Sequence, residues 1–295
     1  MLKKNIKFTN FILNKKNTNS KKILKIYKDV IKEKSEVILS LNKNYKDSFS
    51  KKILKNLKKL NHVLLIGMGG SALGAKAIYK FLCPQNKKFT FIDNFSNILF
   101  KDNKKKKLTL IISKSGNTLE TISNSNIFIN KKNKNIFITE DRKSYLLQLA
   151  HKLKSEVIHH NNFIGGRYSV LSEVGMLPAQ LMGFKPEKFR RLNKLVGNKY
   201  FINSLIQNVS NIFYLTNQNK TNSIILNYDD KSNDLFYWYQ QLVAESLGKK
   251  GKGILPMIST MPKDNHSLMQ YYLDGAKNNF FTFFFVKEKT SKKII

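Results

Sequence analysis

From residue 62 onward the sequence alternates short apolar runs with stretches of helical periodicity, and this alternation constrains the fold more than any other feature. Strands that are joined through helices imply a parallel sheet with helices on both faces. The predicted strands are Val63–Ile66, Phe89–Ile92, Leu108–Ile112, Asn135–Thr139 and Val157–His159. The predicted helices between them are Ser71–Leu82, Thr118–Ile129 and Ser144–Leu153. Ligands of such sheets bind beyond the carboxyl ends of the strands, where the strand order reverses.

The same pattern begins a second time after a helical connection over residues 166–200. Its predicted helices are Lys199–Leu215 and Asp234–Ser246, and its predicted strands are Ser223–Leu226 and Phe280–Val286. The fold class is therefore α/β, with two doubly wound units in which parallel sheets are flanked by helices. The first unit covers residues 61–165. The second covers 201–295 and is expected to be incomplete, which would leave its last apolar strand poorly covered.

Residues 1–60 are predicted to form a helical N-terminal extension, with helices over 21–40 and 49–60. The first 20 residues lack the apolar core and small-residue cleavage site of a signal peptide. No apolar run in the chain is long enough to span a bilayer. Cys83 is the single cysteine, which excludes an internal disulfide and a cysteine metal cluster. These features predict a cytoplasmic protein.

The formal net charge of +34 invites a nucleic-acid interpretation, which the type of basic residue argues against. All but four of the 53 basic residues are lysines, and they are scattered through nearly every segment. The arginines are Arg142, Arg167, Arg190 and Arg191. Nucleic-acid binders more often concentrate their basic residues and include arginine. We therefore expect no nucleic-acid partner and consider the positive field an aid to capturing a small anionic substrate.

The stretch Ser113–Thr121 has the composition of a phosphate-binding loop. It follows a buried strand, carries the hydroxyl groups of Ser113, Ser115 and Thr118, contains Gly116, and leads into a helix. Backbone N–H groups at a helix N-terminus have no intrahelical partner, and the dipole there favours negative charge. An ordinary strand-to-helix turn with Ser/Thr caps explains the same residues, and the loop alone leaves the two interpretations about equal.

The stretch Gly67–Gly74 also follows a strand and opens a helix. Gly67, Gly69 and Ala72 satisfy the G-x-G-x-x-G/A pattern of dinucleotide sites, and Asp93 ends the next strand, where a ribose-binding acid could lie. A nicotinamide-dependent oxidoreductase is therefore a rival hypothesis. The hydroxyl-rich loop at 113–121 suits a compact phosphate better, and Ser71 could donate to the same phosphate.

Three further stretches contain candidate catalytic residues. Gly165-Gly-Arg-Tyr-Ser169 places Arg167 beside two glycines that allow close backbone approach. Glu245 ends an apolar helix, and a carboxylate there could transfer a proton, although a solvated helix-end glutamate is the more frequent case. His266 lies in a polar loop and could act as acid and base, although most such histidines are simply exposed. The pair His159-His160 has no carboxylate or cysteine at a metal-binding spacing.

Taken together, these stretches resemble the phosphoglucose isomerase family of the sugar-isomerase (SIS) domain superfamily. Five blocks occur in the family's order and span roughly residues 62–275. They are Gly67–Gly74, Ser113–Thr121, Gly165–Gly175, Gln240–Lys249 and Asn265–Gln270. The Gly-Gly-Arg-Tyr-Ser block is the most specific of the five.

The resemblance implies an enzyme that interconverts glucose 6-phosphate and fructose 6-phosphate in glycolysis and gluconeogenesis, through an enediolate and without a metal or organic cofactor. It implies a homodimer with active sites near the subunit interface. The residues that would bind the substrate lie in two loops and are Gly70, Ser71, Ser113, Lys114, Ser115 and Thr118. Arg167 would stabilise the enediolate, Glu245 would move the proton between C1 and C2, and His266 would assist ring opening.

The resemblance is incomplete at the C-terminus. The family continues further and carries there a lysine that helps to open the ring, and nothing in residues 287–295 matches that segment. The chain is therefore expected to be a shortened form. The alternatives that remain are a phosphosugar-binding protein with little turnover and a related isomerase that also accepts mannose 6-phosphate.

Overall fold

A five-stranded parallel sheet organises residues 33–194 in the computed structural model, which describes residues 6, 19–57, 59–95 and 107–287. We call this the large unit. The described residues of 1–32 and 195–295 form a second compact unit, the small unit. None of the described helices is both long enough and apolar enough to cross a membrane.

The sheet of the large unit contains all five strands that the sequence predicts there. They are β1 (His62–Ile66), β2 (Lys88–Ile92), β3 (Leu108–Ile112), β4 (Lys134–Thr139) and β5 (Glu156–His159). Their order is β2-β1-β3-β4-β5, and every pair is parallel. The chain moves outward from β1 to β2 and in the opposite direction from β3 to β5, so the order reverses between β1 and β3. That point is where this class of sheet binds ligands.

Helices cover this sheet, and the central strand is buried along its whole length. The helices after β1, β3 and β4 are Leu73–Leu82, Leu119–Phe128 and Tyr145–Lys152. The other helices of the large unit are Glu36–Ser40, Lys51–Leu57 and Glu173–Leu181, with 3₁₀ turns at Gly69–Ser71, Gly166–Leu171 and Pro186–Lys188. The helix Leu192–Val196 spans the point in the sequence where the two units divide. The core joins strand residues such as Ile111 and Phe137 to Leu146 and Ala150 of a helix. Burial on both faces explains why four of the five residues of β3 are apolar.

The small unit has a three-stranded parallel sheet. Its strands are β6 (Asn222–Asn227), β7 (Leu255–Thr260) and β8 (Asn279–Phe284), in the order β7-β6-β8. Its helices are Ser20–Lys32, Lys199–Asn217, Asn233–Leu247 and Met269–Asp274, with 3₁₀ turns at Asp230–Ser232 and Lys263–His266.

One prediction of secondary structure was wrong, and one strand was not predicted. The predicted helix over 21–40 is two helices, because Ser35 takes an extended conformation as the N-cap residue of Glu36–Ser40. Strand β7 is not among the strands predicted from the sequence. Pro256 lacks an N–H donor and is tolerated because β7 is an edge strand.

Strand β8 is poorly covered, as expected for an apolar strand at the edge of a small sheet. Phe281 and Phe283 are 39% and 66% exposed, and Phe285, just beyond the strand, is 61% exposed. Phe284 makes an edge contact with Phe236, with the ring centroids 4.9 Å apart. Of the final segment 287–295, where the family's lysine has no match, all but Lys287 lies outside the described residues.

Candidate functional site

The loop after β3 (residues 113–118, the β3 loop) places its hydroxyl groups close together. The buried Ser113 Oγ lies 2.9 Å from Thr118 Oγ1, and Ser115 Oγ accepts a hydrogen bond from the N–H of Asn117 at 3.2 Å. Gly116 has a φ of +65°, and a Cβ there would stand 2.2 Å from Ser144 Oγ. Glycine is therefore required for the turn that brings these hydroxyls together.

The β3 loop ends at the N-terminus of the ten-residue helix Leu119–Phe128. Thr118 is the N-cap residue, yet its side chain makes no capping hydrogen bond because the hydroxyl faces Ser113 instead. The first N–H groups of the helix are thus not used by the residue that usually binds them. Hydroxyls and backbone donors at one helix end form an arrangement suited to a phosphate.

The loop after β1 (residues 67–72, the β1 loop) lies against the segment that carries Arg167. A Cβ on Gly70 would stand 2.2 Å from the carbonyl carbon and oxygen of Gly166 and 2.8 Å from the N of Arg167. Ser169 Oγ donates to the Gly166 carbonyl at 2.7 Å and lies 3.3 Å from the Gly70 carbonyl. The two backbones therefore touch, and Gly70 is the residue that permits it.

Arg167 follows this contact, in the 3₁₀ turn Gly166–Leu171. Its guanidinium carbon lies 4.6 Å from the centroid of the Tyr168 ring. A cation over an aromatic face at this distance is attracted by the ring, and the contact restricts the directions in which the long side chain can point.

Lys114 joins the β3 loop to the residues that precede Arg167. Its Nζ donates to the carbonyl of Asn162 at 2.8 Å and lies 3.3 Å from Glu140 Oε1. The other oxygen of Glu140 lies 3.1 Å from Arg142 Nε. In this state the Lys114 ammonium is directed at protein oxygens. Glu140 was not singled out from the sequence, although its position directly after β4 places it at the ligand-binding edge.

The large unit therefore brings seven of the predicted site residues to one edge of its sheet, around the reversal of strand order between β1 and β3. These residues are Gly70, Ser71, Ser113, Lys114, Ser115, Thr118 and Arg167.

Glu245 and His266 lie in the small unit, near opposite ends of strand β7. Gln240 Nε2 donates to the carbonyl of Pro256 at 2.8 Å, which places the end of the helix Asn233–Leu247 beside the start of β7. His266 lies in the turn Lys263–His266, which follows the end of β7. Because β7 has six residues, its two ends lie about 20 Å apart. Both side chains are exposed, and Glu245 Oε1 accepts a hydrogen bond from Gln241 Nε2 at 2.8 Å.

Asp93, the acid of the dinucleotide hypothesis, already has a partner. Lys76 Nζ lies 2.7 Å from its Oδ2. A ribose hydroxyl would have to compete with this ion pair for the carboxylate, which counts against the dinucleotide interpretation of the β1 loop.

Comparison with known proteins identifies the family. The family model described as phosphoglucose isomerase matches residues 10–260. The glucose-6-phosphate isomerase of Methanocaldococcus jannaschii is 35% identical over 253 residues, which cover 79% of this chain and 62% of that protein. The glucose-6-phosphate isomerase of Campylobacter jejuni is 31% identical over 266 residues, covering 83% of this chain and 66% of that protein.

Solved structures agree at the level of the fold. The crystal structure of a glucose-6-phosphate isomerase from Chlamydia trachomatis superposes with a TM-score of 0.69 at 20% identity, covering 90% of this chain and 64% of that one. A hypothetical protein from Thermus thermophilus superposes with a TM-score of 0.71, also at 20% identity, and covers 90% of this chain and 69% of that one.

The doubly wound sheet with its hydroxyl-rich switch-point loop defines a SIS-type α/β protein. Within that class, the chain belongs to the phosphoglucose isomerase family. It spans less than two thirds of the length of the two curated relatives described above.

Proposed function

We propose that the chain interconverts glucose 6-phosphate and fructose 6-phosphate. The observation that carries the proposal is the meeting of the β3 loop, the β1 loop and Arg167 at one edge of the large sheet, in a member of the phosphoglucose isomerase family. A phosphosugar has the complementary chemistry, with a dianion at one end and, at the other, a carbonyl that becomes negatively charged during reaction.

In the proposed reaction the β3 loop, with Ser71, holds the 6-phosphate, and this remote binding energy orients the sugar chain. His266 assists ring opening. The Glu245 carboxylate removes the proton from C2. The electron pair of the C–H bond forms the C1–C2 double bond, and the π electrons of the C1 carbonyl move to O1, which gives an enediolate. Arg167 stabilises the charge on its oxygens. The proton of the C2 hydroxyl passes to O1, the carbonyl forms at C2, and Glu245 returns its proton to C1, which gives the ketose.

We further propose that the active protein is a cytoplasmic homodimer. The opposite placement of Glu245 and His266 within the small unit supports this, because one sugar cannot contact both residues of a single small unit across about 20 Å. A second copy would supply the residue that the first cannot. The dimer is testable by sedimentation equilibrium, and a monomer that retains full turnover would exclude it.

The test of the function is turnover by the purified 295-residue chain, measured as fructose 6-phosphate formed from glucose 6-phosphate. Turnover that is lost in Glu245→Gln and kept in Glu156→Gln supports the proposal, since Glu156 is a surface carboxylate at the far side of the large sheet. Tight phosphosugar binding without turnover would instead identify a binding protein. Mannose 6-phosphate, assayed in parallel, shows whether the substrate range is wider.

A further inference from the structure

The segment that carries Arg167 (residues 160–173, the Arg167 loop) is closed by a buried pair. His160 Nδ1 lies 2.5 Å from Glu173 Oε1, and the N–H of Asn161 donates to the same oxygen at 3.0 Å. The two side chains are only 2% and 1% exposed. His160, the first residue of the loop, is thus hydrogen-bonded to Glu173, the last, and Arg167 lies near the middle of the loop.

A second buried group holds the far end of the Arg167 loop. Arg190 Nε and Nη2 both donate to the carbonyl of Leu171, at 3.0 and 2.6 Å. The same guanidinium forms a two-point contact with the Asp47 carboxylate, at 3.1 and 2.5 Å. The guanidinium carbon of Arg190 also lies 4.9 Å from the centroid of the Tyr45 ring. Burial, and next the charge of Glu173, raise the pKa of Tyr45 to about 12, so this tyrosine stays neutral.

A buried carboxylate is an unlikely choice for simple packing. Desolvating a charge is costly, and apolar residues of similar volume often stabilise a core equally well. A buried, hydrogen-bonded carboxylate fixes the position and orientation of the groups that it contacts, since each hydrogen bond forms only within narrow limits of distance and angle. Here both hydrogen-bond contacts of Glu173 described above fall on the start of the Arg167 loop.

The β3 loop is held differently. Its hydroxyls are placed by β3 and by the Gly116 turn. The loop is held by hydrogen bonds from the N–H of Tyr145 to Asn117 Oδ1 and from the N–H of Leu146 to the Gly116 carbonyl, none of which involves Glu173. A change at Glu173 therefore acts first on the sugar end of the proposed site. The hydroxyls of the phosphate end keep their own supports, and the β3 loop contacts the Arg167 loop through Lys114 Nζ, which donates to the Asn162 carbonyl.

We propose that Glu173, acting through His160 and Asn161, is a positioning residue that aims Arg167 at the reacting end of the sugar. The inference rests on the proposed function and deepens it. Glu173 itself does not touch the substrate. It closes the loop whose backbone sets the position of the guanidinium, and a displacement of about 1 Å at such a group can reduce turnover by on the order of 100-fold.

The test compares two ligands that share a phosphate and differ at C1. 6-Phosphogluconate has a carboxylate at C1, where Arg167 would lie, whereas glucitol 6-phosphate has a neutral hydroxyl. In Glu173→Gln, which keeps the side-chain shape and one oxygen, affinity for 6-phosphogluconate should fall by on the order of 10- to 100-fold, together with kcat. Affinity for glucitol 6-phosphate and the KM should change less than about threefold.

Two further variants separate positioning from stability. His160→Asn keeps an N–H donor near the position of Nδ1 and should retain most of the wild-type preference for 6-phosphogluconate, whereas His160→Ala should lose it. Glu156→Gln serves as the matched control elsewhere on the same sheet. If Glu173→Gln and His160→Ala only lower the melting temperature and leave the affinity ratio and kcat unchanged, Glu173 is structural and the inference is overturned.

The affinity ratio does not depend on turnover. A chain without isomerase activity whose ligand preference still follows Glu173 would refute the proposed function and leave the positioning role standing. A wild-type chain that binds both ligands equally would overturn the positioning role even if it turns over.

Discussion

Gly70 and Gly166 touch backbone to backbone: a Cβ on Gly70 would stand 2.2 Å from the carbonyl group of Gly166, whereas a Cβ on Gly166 would meet nothing within 4 Å. A side chain would therefore fit at Gly166 but not at Gly70, although the two glycines are in contact with each other. Gly70→Ala and Gly166→Ala are therefore a matched pair of substitutions within the candidate site.

Gly70→Ala should separate the β1 loop from the Arg167 loop and destabilise the protein by about 1–3 kcal/mol, because the obstructing atoms are backbone. Gly166→Ala adds the same methyl group where space is open and should change the free energy of unfolding by less than about 0.5 kcal/mol. Urea unfolding of both variants measures the difference. Equal effects at the two glycines would contradict the packing described here.

Ser113→Ala removes the buried hydroxyl that faces Thr118 and should weaken phosphosugar binding. A hydrogen bond to a charged group contributes about 1.5–3 kcal/mol, so Kd should rise roughly 10- to 100-fold. Calorimetric titration with glucitol 6-phosphate measures this. Ser125→Ala is the control, since the buried Ser125 Oγ has no hydrogen-bond partner among the described residues. A normal Kd in Ser113→Ala would remove Ser113 from the phosphate site.

Glu245→Gln should abolish isomerisation while glucitol 6-phosphate still binds, because an amide cannot take up the proton from C2. We expect a loss in kcat of at least about 100-fold, with Kd unchanged within about twofold. Gln241→Ala removes the hydrogen-bond donor to Glu245 and should have a much smaller effect. Retained turnover in Glu245→Gln would assign the proton transfer to another group.

His62 should make the protein less stable in mild acid. Burial, and next the positive charges of Lys107 and Lys88, lower the pKa of His62 from 6.5 in the folded state. The unfolded chain therefore binds the proton more readily, so stability is fully present above pH 6.5 and is lost as the pH falls through the folded-state pKa. His62→Gln should reduce this loss in urea unfolding measured across the acid range. An unchanged pH profile would exclude His62 as a source.

Phe283→Thr should reduce self-association without unfolding the small unit. Phe283 is 66% exposed on β8, an edge strand in the described sheet, and exposed apolar edges promote pairing between chains. The free energy of unfolding should change by less than about 0.5 kcal/mol. The contrasting variant Ile225→Thr, at a buried site in β6, should cost about 2 kcal/mol or more. Light scattering at increasing concentration tests the first statement, and urea unfolding tests the second.

Local patterns were enough to predict the switch-point sheet and the β3 loop. A strand such as β3, in which four of five residues are apolar, requires that both of its faces be covered. The hydroxyls and the glycine of the β3 loop lie within six residues of one another. Where the local pattern was ambiguous the prediction failed: β7, which contains Pro256, was not predicted, and Ser35 interrupted a helical periodicity.

The amino-acid sequence by itself therefore determined the fold class, the family and the residue types of the candidate site, because these depend on periodicity and on short motifs. Only the tertiary structure decided which distant groups meet. Gly70 against Gly166, Lys114 on the carbonyl of Asn162, and Arg190 on the carbonyl of Leu171 depend on strand order and loop path. These contacts are between backbone groups, or between a side chain and backbone, so the residue types involved do not reveal them.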